Sequence, residues 1–162
     1  MRRDFDDVQM TKDEINAFLA VPRYGALGTV KKDGRPHIDP LGFVYRDGKL
    51  YFSLEETRVL LKRVVRNPNG FFSVFDDNPP SSAAVQAEGP LRVVDDPDNA
   101  ISRSILHRHI DLGLEMASFE NAWLGNGKRS FKRVVLELTP TRFFAWDNRK
   151  TAAARRRQSA PA

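Results

Sequence analysis

Two Asp-Gly pairs, Asp33-Gly34 and Asp47-Gly48, constrain this chain more than any other feature, because each is flanked by apolar, β-prone residues. That pattern is the strongest short-range signal for a β-hairpin, since both positions of a tight turn that matches strand twist favour positive φ. Three consecutive antiparallel strands are therefore predicted, over residues 24–31, 36–45 and 50–54. Pro40 and Gly42 interrupt the middle one. A proline cannot donate to a ladder, so a bulge or a sheet edge is expected there, open to a partner or ligand.

The remaining segments fit around this core. Thr11-Lys12-Asp13-Glu14 has the spacing of a capping box, followed by Ile15, Phe18 and Leu19 on one apolar face, and Pro22 ends that helix. Residues 57–67 change to a helical rhythm, with Val59 or Leu60, Leu61, Val64 and Val65 inward and Arg58, Lys62, Arg63 and Arg66 outward. Further strands are predicted over 70–76, 83–94 with a bend at Gly89-Pro90, 131–139 and 141–147. Asp96-Pro97 is read as an N-cap with proline at the first helical position, opening a helix to about Leu112. A second helix over about 115–124 places Met116, Phe119 and Trp123 together, closed by Gly125 and Gly127. Six or seven antiparallel strands with helices in the connections argue for a mainly β chain with α connections (α+β) and a small barrel, and against a parallel nucleotide-binding sheet.

At 162 residues the chain is about one domain long. Its net charge of +5 is supplied by Arg149, Lys150, Arg155, Arg156 and Arg157, so residues 1–148 sum to zero. A neutral body with a basic end lacks the broad basic face of a nucleic-acid-binding domain. The expected organisation is one domain over residues 1–148 and a flexible basic tail over 149–162. The first residues lack the apolar stretch of a secretory signal and no run is long enough to span a bilayer, which places the protein in the cytoplasm with no membrane and no nucleic acid among its partners. The absence of cysteine excludes disulfides, thiolate nucleophiles and Cys-ligated metals.

Few residues carry chemistry of their own. No Gly-x-Ser-x-Gly elbow is present, and His107 and His109 are two apart on a predicted helix, so they face different sides. Gly125-Asn-Gly-Lys128 lacks the earlier glycine of a phosphate loop and reads as a turn. The segment Ser53 to Arg66 stands out: a strand ending in Ser53 leads to a helix start near Thr57 and Arg58. A helix N-terminus, an arginine and two hydroxyls form a cradle for a monophosphate; a solvated basic face pairing with Glu55 and Glu56 is the plainer reading of the same residues. His37 to Phe43 is likewise either a bulged strand with a solvent-facing histidine or the border of a site, and Trp146-Asp147 either a core anchor or a lid.

Several segments together carry a resemblance. Thr11-x-x-Glu14 with Phe18-Leu19, Leu27-Gly28-Thr29-Val30, Asp33-Gly34-x-Pro36-His37, Asp47-Gly48-x-Leu50-Tyr51-Phe52, Arg66-Asn67-Pro68 and Trp146-Asp147 follow the order and spacing of one pattern over residues 11–147. The chain resembles the pyridoxamine 5′-phosphate oxidase-like split-barrel superfamily, in particular its flavin- or deazaflavin-dependent oxidoreductases. The resemblance implies a six-stranded Greek-key split β-barrel of the FMN-binding type. It also implies a homodimer with FMN or the deazaflavin coenzyme F-420 at the interface, and hydride transfer to or from a small organic substrate.

By position, the resemblance makes Ser53 and Arg58 phosphate contacts, and makes His37 and the backbone of Pro40, Leu41, Gly42 and Phe43 the border of the ring. No catalytic acid or base and no metal is implied. The pattern's usual lysine two residues after the arginine is Leu60 here, and its usual asparagine is Arg63. Loss of that lysine is expected to weaken binding by roughly 1.5–3 kcal/mol unless Lys62 or Arg63 reaches across. Two other classes of function stand beside the oxidoreductase: a non-catalytic split barrel that binds a cofactor, pyridoxal phosphate or haem, and a nucleic-acid-associated module acting through the tail.

Overall fold

The computed structural model describes residues 8–77, 82–109, 116–124 and 132–151, without the side chains of residues 109 and 116–118. Helix α1 (Lys12–Ala20) starts with both halves of the predicted capping box, Glu14 N–H donating to Thr11 Oγ1 and Thr11 N–H to Glu14 Oε2. Its Ile15, Phe18 and Leu19 are buried. Strands β1 (Tyr24–Val30) and β2 (Pro36–Gly42) form the first hairpin. Gly34 there takes φ 83° after a turn closed by its N–H to the Lys31 carbonyl. Strands β3 (Val44–Arg46) and β4 (Lys49–Glu55) form the second, and Asp47 and Gly48 both have positive φ, as a two-residue turn of the primed type requires.

The predicted middle strand is therefore two strands broken at Phe43, and this break organises the molecule. The remaining elements are helix α2 (Val59–Arg66), strands β5 (Asn69–Asp76) and β6 (Ala83–Val94), helices α3 (Ala100–His109) and α4 (Met116–Trp123), and strands β7 (Arg133–Leu138) and β8 (Arg142–Asp147). All eight strands belong to one antiparallel sheet, in the order β2-β1-β5-β6-β7-β4-β3, with β8 pairing β6 off that path. Its two end strands, β2 and β3, are joined through Phe43 without pairing, which leaves the barrel split. Eight strands stand where seven ranges were expected, because the Phe43 break divides one of them. β6 serves both halves: residues 83–90 pair with β5, residues 91–94 with β7. At the changeover, a Cβ on Gly89 would lie 2.1 Å from the Thr139 carbonyl oxygen, so only glycine admits the crossing chain.

The barrel interior is filled from both halves by Leu27, Phe43, Leu50, Phe52, Leu60, Val64, Phe72, Val74, Val85, Leu136 and Leu138. Phe72 is its centre, with ring centroids 5.0 Å from both Phe43 and Phe52. The outer side of β4 and β7, where Ser53 and Val135 are buried, lies against α3, which brings Ser102, Ile105 and Leu106 there. Helix α3 starts later than predicted. Residues 96–99 form a turn closed by the Asn99 N–H and the Asp96 carbonyl, and the Asp96 carboxylate still caps the helix by accepting from the Ile101 and Ser102 N–H groups.

Arg149 and Lys150, expected at the start of a flexible tail, are tied to the domain instead: Arg149 pairs with Asp147, and Lys150 Nζ donates to Glu14 Oε2 and to the Gln9 carbonyl at 2.6 Å each. Residues 152–162, the Gly125–Lys128 turn and the Met116 contact lie outside the described residues or side chains. Among the described residues no helix is long and apolar enough to cross a membrane.

One ion cluster gives the fold a pH dependence. Glu137, buried on β7, accepts from Arg92 Nε at 2.7 Å and from Lys49 Nζ at 3.2 Å. The Arg92 hydrogen bond above all, helped by Lys49 and Thr139, holds its pKa down at about 2 from an ordinary 4.5. The folded value is the lower one, so the stabilisation is complete above the unfolded value and is lost as pH falls from about 4.5 towards about 2. Up to roughly 2–3 kcal/mol is at stake, less whatever solvent takes from the exposed Arg92 side. The melting temperature of wild type is expected to fall more steeply than that of Glu137→Gln between about pH 5 and pH 3; parallel curves would show that the cluster carries no net stabilisation.

Candidate functional site

The site lies where the split barrel opens, between the end of β2, the end of β4 and the start of α2. The Asp-Gly turn of the first hairpin sets the register in which Ala26 faces Pro40 and Tyr24 faces Gly42. Pro40, Leu41 and Gly42 thereby form one wall of a two-lobed cleft. Pro40, Leu41, Ser53 and Arg133 line both lobes. The apolar lobe, about 210 Å3, adds Tyr24, Gly42, Ile105, Leu106 and Trp123. The polar lobe, about 170 Å3, adds Leu54, Glu55 and Arg58.

Ser53 is buried in the shared wall, its Oγ 2.8 Å from Ser102 Oγ and accepting from Arg133 Nε at 3.2 Å. Arg133 Nη2 donates to the Ser53 carbonyl at 3.0 Å, and its guanidinium lies 3.7 Å from the centroid of the Trp123 ring. Burial lowers the Arg133 pKa to about 10, Arg58 pushes it the same way, and Glu55 opposes. Arg58 stands at the N-cap position of α2 with its side chain 46% exposed, and its side chain makes no capping bond.

Behind the polar lobe is a second charge cluster. The buried Asp39 carboxylate accepts a short hydrogen bond from Arg63 Nη2, and Arg58 Nη2 lies 3.5 Å and His37 Nε2 3.7 Å from its other oxygen. Arg63 Nε donates to Thr29 Oγ1 at 3.0 Å.

The structure thus divides the sequence-derived residues. Pro40, Leu41, Gly42, Ser53 and Arg58 meet at the cleft. His37 stands beside Asp39, and Phe43 turns into the barrel core. Arg63, expected on the outer face of its helix, is buried against Asp39 and Thr29 and does not reach across the cleft. Lys62 is exposed and lines neither lobe, while Leu60 is 1% exposed within the core. Of Val59 or Leu60, expected inward, Leu60 is the buried one and Val59 is 62% exposed; Val65, also expected inward, is 81% exposed, because α2 seats itself on Leu60, Arg63 and Val64. His107 pairs with Glu120 of α4, and the side chain of His109 lies outside those described. Trp146 lies partly buried opposite Ala84 and in a bridge with Gln9, neither inside the core cluster nor over the cleft. Sequence reading missed Arg133, Trp123 and Ser102 as site residues; the register that sets Arg133 opposite Glu55 joins positions far apart in the chain.

The chain is thus a split antiparallel barrel with a basic, serine-lined cleft at its open seam. The model of the pyridoxamine 5′-phosphate oxidase family matches residues 11–147, and the chain belongs to that family. Among solved structures, a conserved hypothetical protein from Mycobacterium tuberculosis superposes with TM-score 0.75 at 23% identity, over 94% of this chain and 92% of that one. A protein described as an F-420 reductase matches with TM-score 0.61 at 26% identity, over 80% and 94%. The FAD-binding protein from Mycobacterium smegmatis matches with TM-score 0.60 at 19% identity, over 85% and 97%. No curated protein matches by sequence.

Proposed function

We propose that this protein binds a phosphorylated flavin-type cofactor, FMN or the deazaflavin F-420, and acts as an oxidoreductase that moves a hydride to or from a small organic molecule. The observation that carries this reading is the convergence of Ser53, Arg58 and Arg133 on one polar lobe beside an apolar one, in a family member whose solved neighbours include proteins described as an F-420 reductase and an FAD-binding protein. Cationic and hydroxyl groups fit the anionic end of such a cofactor, and the Tyr24, Leu106 and Trp123 side fits an apolar surface.

When bound, the cofactor supplies the hydride chemistry at its ring. The chain's own residues bind, orient and exclude water: Arg58 and Ser53 hold the anion, Pro40 to Gly42 present backbone to the ring edge, and Ile105 and Leu106 keep the floor dry.

Even together the lobes, at about 210 and 170 Å3, stand near the lower end of the roughly 300–1,000 Å3 of a pocket that encloses a small-molecule ligand. A second copy of the chain supplies the missing wall in this reading. Ile38, Gly28 and Phe71 form one row across β2, β1 and β5, and Tyr24, Ile38, Phe75 and Phe144 are exposed by 37–65%. Tyr24 and Pro40 of this apolar face also line the cleft, so face and site are continuous.

The test is equilibrium binding of FMN and of F-420 to the purified protein, followed by reduction of the bound cofactor. Arg58→Ala is expected to weaken binding about tenfold, the loss of one charge-assisted hydrogen bond, with an unchanged melting temperature. Unchanged affinity in that variant refutes the anion assignment. Tight binding of a cofactor that no small electron donor reduces favours the storage or sensing alternative.

A further inference from the structure

One cation lining the cleft is Arg133; Glu55, its cross-strand neighbour, supports its charge. Among the described residues Arg133 forms no ion pair; its bonds go to Ser53 and its flat face to Trp123. Its guanidinium borders both lobes. Arg63 lines neither lobe and is neutralised by Asp39, and Leu60 is sealed in the core. Arg58 and Arg133 are the two cations that line the polar lobe, against one carboxylate, Glu55.

The hydroxyl next to it is set up for the same ligand. An arginine only donates, so the Ser53 oxygen accepts from Arg133 Nε. Ser102, fully buried, shares the 2.8 Å contact with Ser53, and when Ser102 gives its proton there the single Ser53 proton is left for the cleft. Trp123 fixes the guanidinium plane, so little side-chain freedom remains to be lost on binding.

We propose that Arg133 is a specificity-determining residue that grips the anionic end of the cofactor together with Arg58. This rests on the flavin-type reading above.

The test uses a pair of ligands that differ only in the phosphate: FMN and riboflavin, titrated against the full-length protein by flavin fluorescence. If the protein takes the deazaflavin instead, F-420 is compared with its ring compound, which lacks the whole anionic tail, phosphate and glutamates alike. Wild type is expected to prefer the phosphorylated ligand. Arg133→Gln is expected to lose that preference, read as the ratio of the two affinities, by about tenfold or more, and Arg133→Lys to keep part of it, since a point charge replaces a fork. Circular dichroism checks that the variants fold, and Arg133→Lys carries the test if Arg133→Gln does not. A folded variant with the wild-type preference overturns the role of Arg133 alone, provided Arg58→Ala still loses affinity. Wild type with no preference for the phosphorylated ligand overturns the flavin-type reading and this inference together.

Discussion

Asp39→Ala is expected to cost about 3–5 kcal/mol of folding stability, which urea unfolding of the two proteins would measure, because removing one partner of a buried pair leaves the other charge uncompensated. Asp39 is 7% exposed and the Arg63 side chain 8%. Without the carboxylate, Arg63 keeps only Thr29 Oγ1 as a hydrogen-bond acceptor, and Arg58 and His37 lose the negative charge they both face. The double variant Asp39→Ala with Arg63→Met is expected to recover much of the loss, since it removes the stranded charge as well. A single-variant loss below about 1 kcal/mol would mean that water reaches this cluster and that the pair is not what holds α2 against β1 and β2.

The second large effect is in the barrel centre. Phe72→Ala is expected to cost about 3–5 kcal/mol, the usual range for emptying a packed aromatic position. The ring touches both other aromatic anchors, and it fills the space left by Gly25, where a Cβ would come within 2.1 Å of Phe72 Cζ. The two positions are therefore coupled in a way a double-mutant cycle detects. Gly25→Ala alone is expected to destabilise by about 1–3 kcal/mol through overpacking. In the Phe72→Ala background it is expected to cost far less, because the atoms it would strike are gone. Additive losses would show that the strand, not the ring, absorbs the added methyl.

What the sequence made legible was local. The capping box at Thr11 and Glu14, both Asp-Gly turns and the apolar face of α1 depend on residues within a few positions of one another, and each appears where its chemistry requires. In β7, by contrast, Val135 to Leu138 are all buried, so its two faces are both covered. The cleft residues that belong to one hairpin or one strand end, Pro40, Gly42 and Ser53, were visible for the same reason.

Long-range compensation was not legible. Helical periodicity places a charged residue on the wet side, and Arg63 would sit there but for Asp39, 24 residues earlier and on another element. Val65 then takes the exposed side that the arginine vacates. Phe43 breaks a strand because its ring belongs in the core while its neighbours belong to opposite ends of the sheet, which no window of sequence around it expresses. Arg133 is one arginine among many until β7 sets it beside β4 and α4 brings Trp123 over it.

Val94 and Val135 face each other in register, so the excursion that carries α3 and α4 leaves the sheet and rejoins it at neighbouring positions. The entropic cost of closing such a detour grows only with the logarithm of its length. Descendants of this gene can therefore trade one excursion for a longer or shorter one with little penalty to the barrel. Selection is free to recut the roof above the seam while the cleft wall built from paired strands stays as it was.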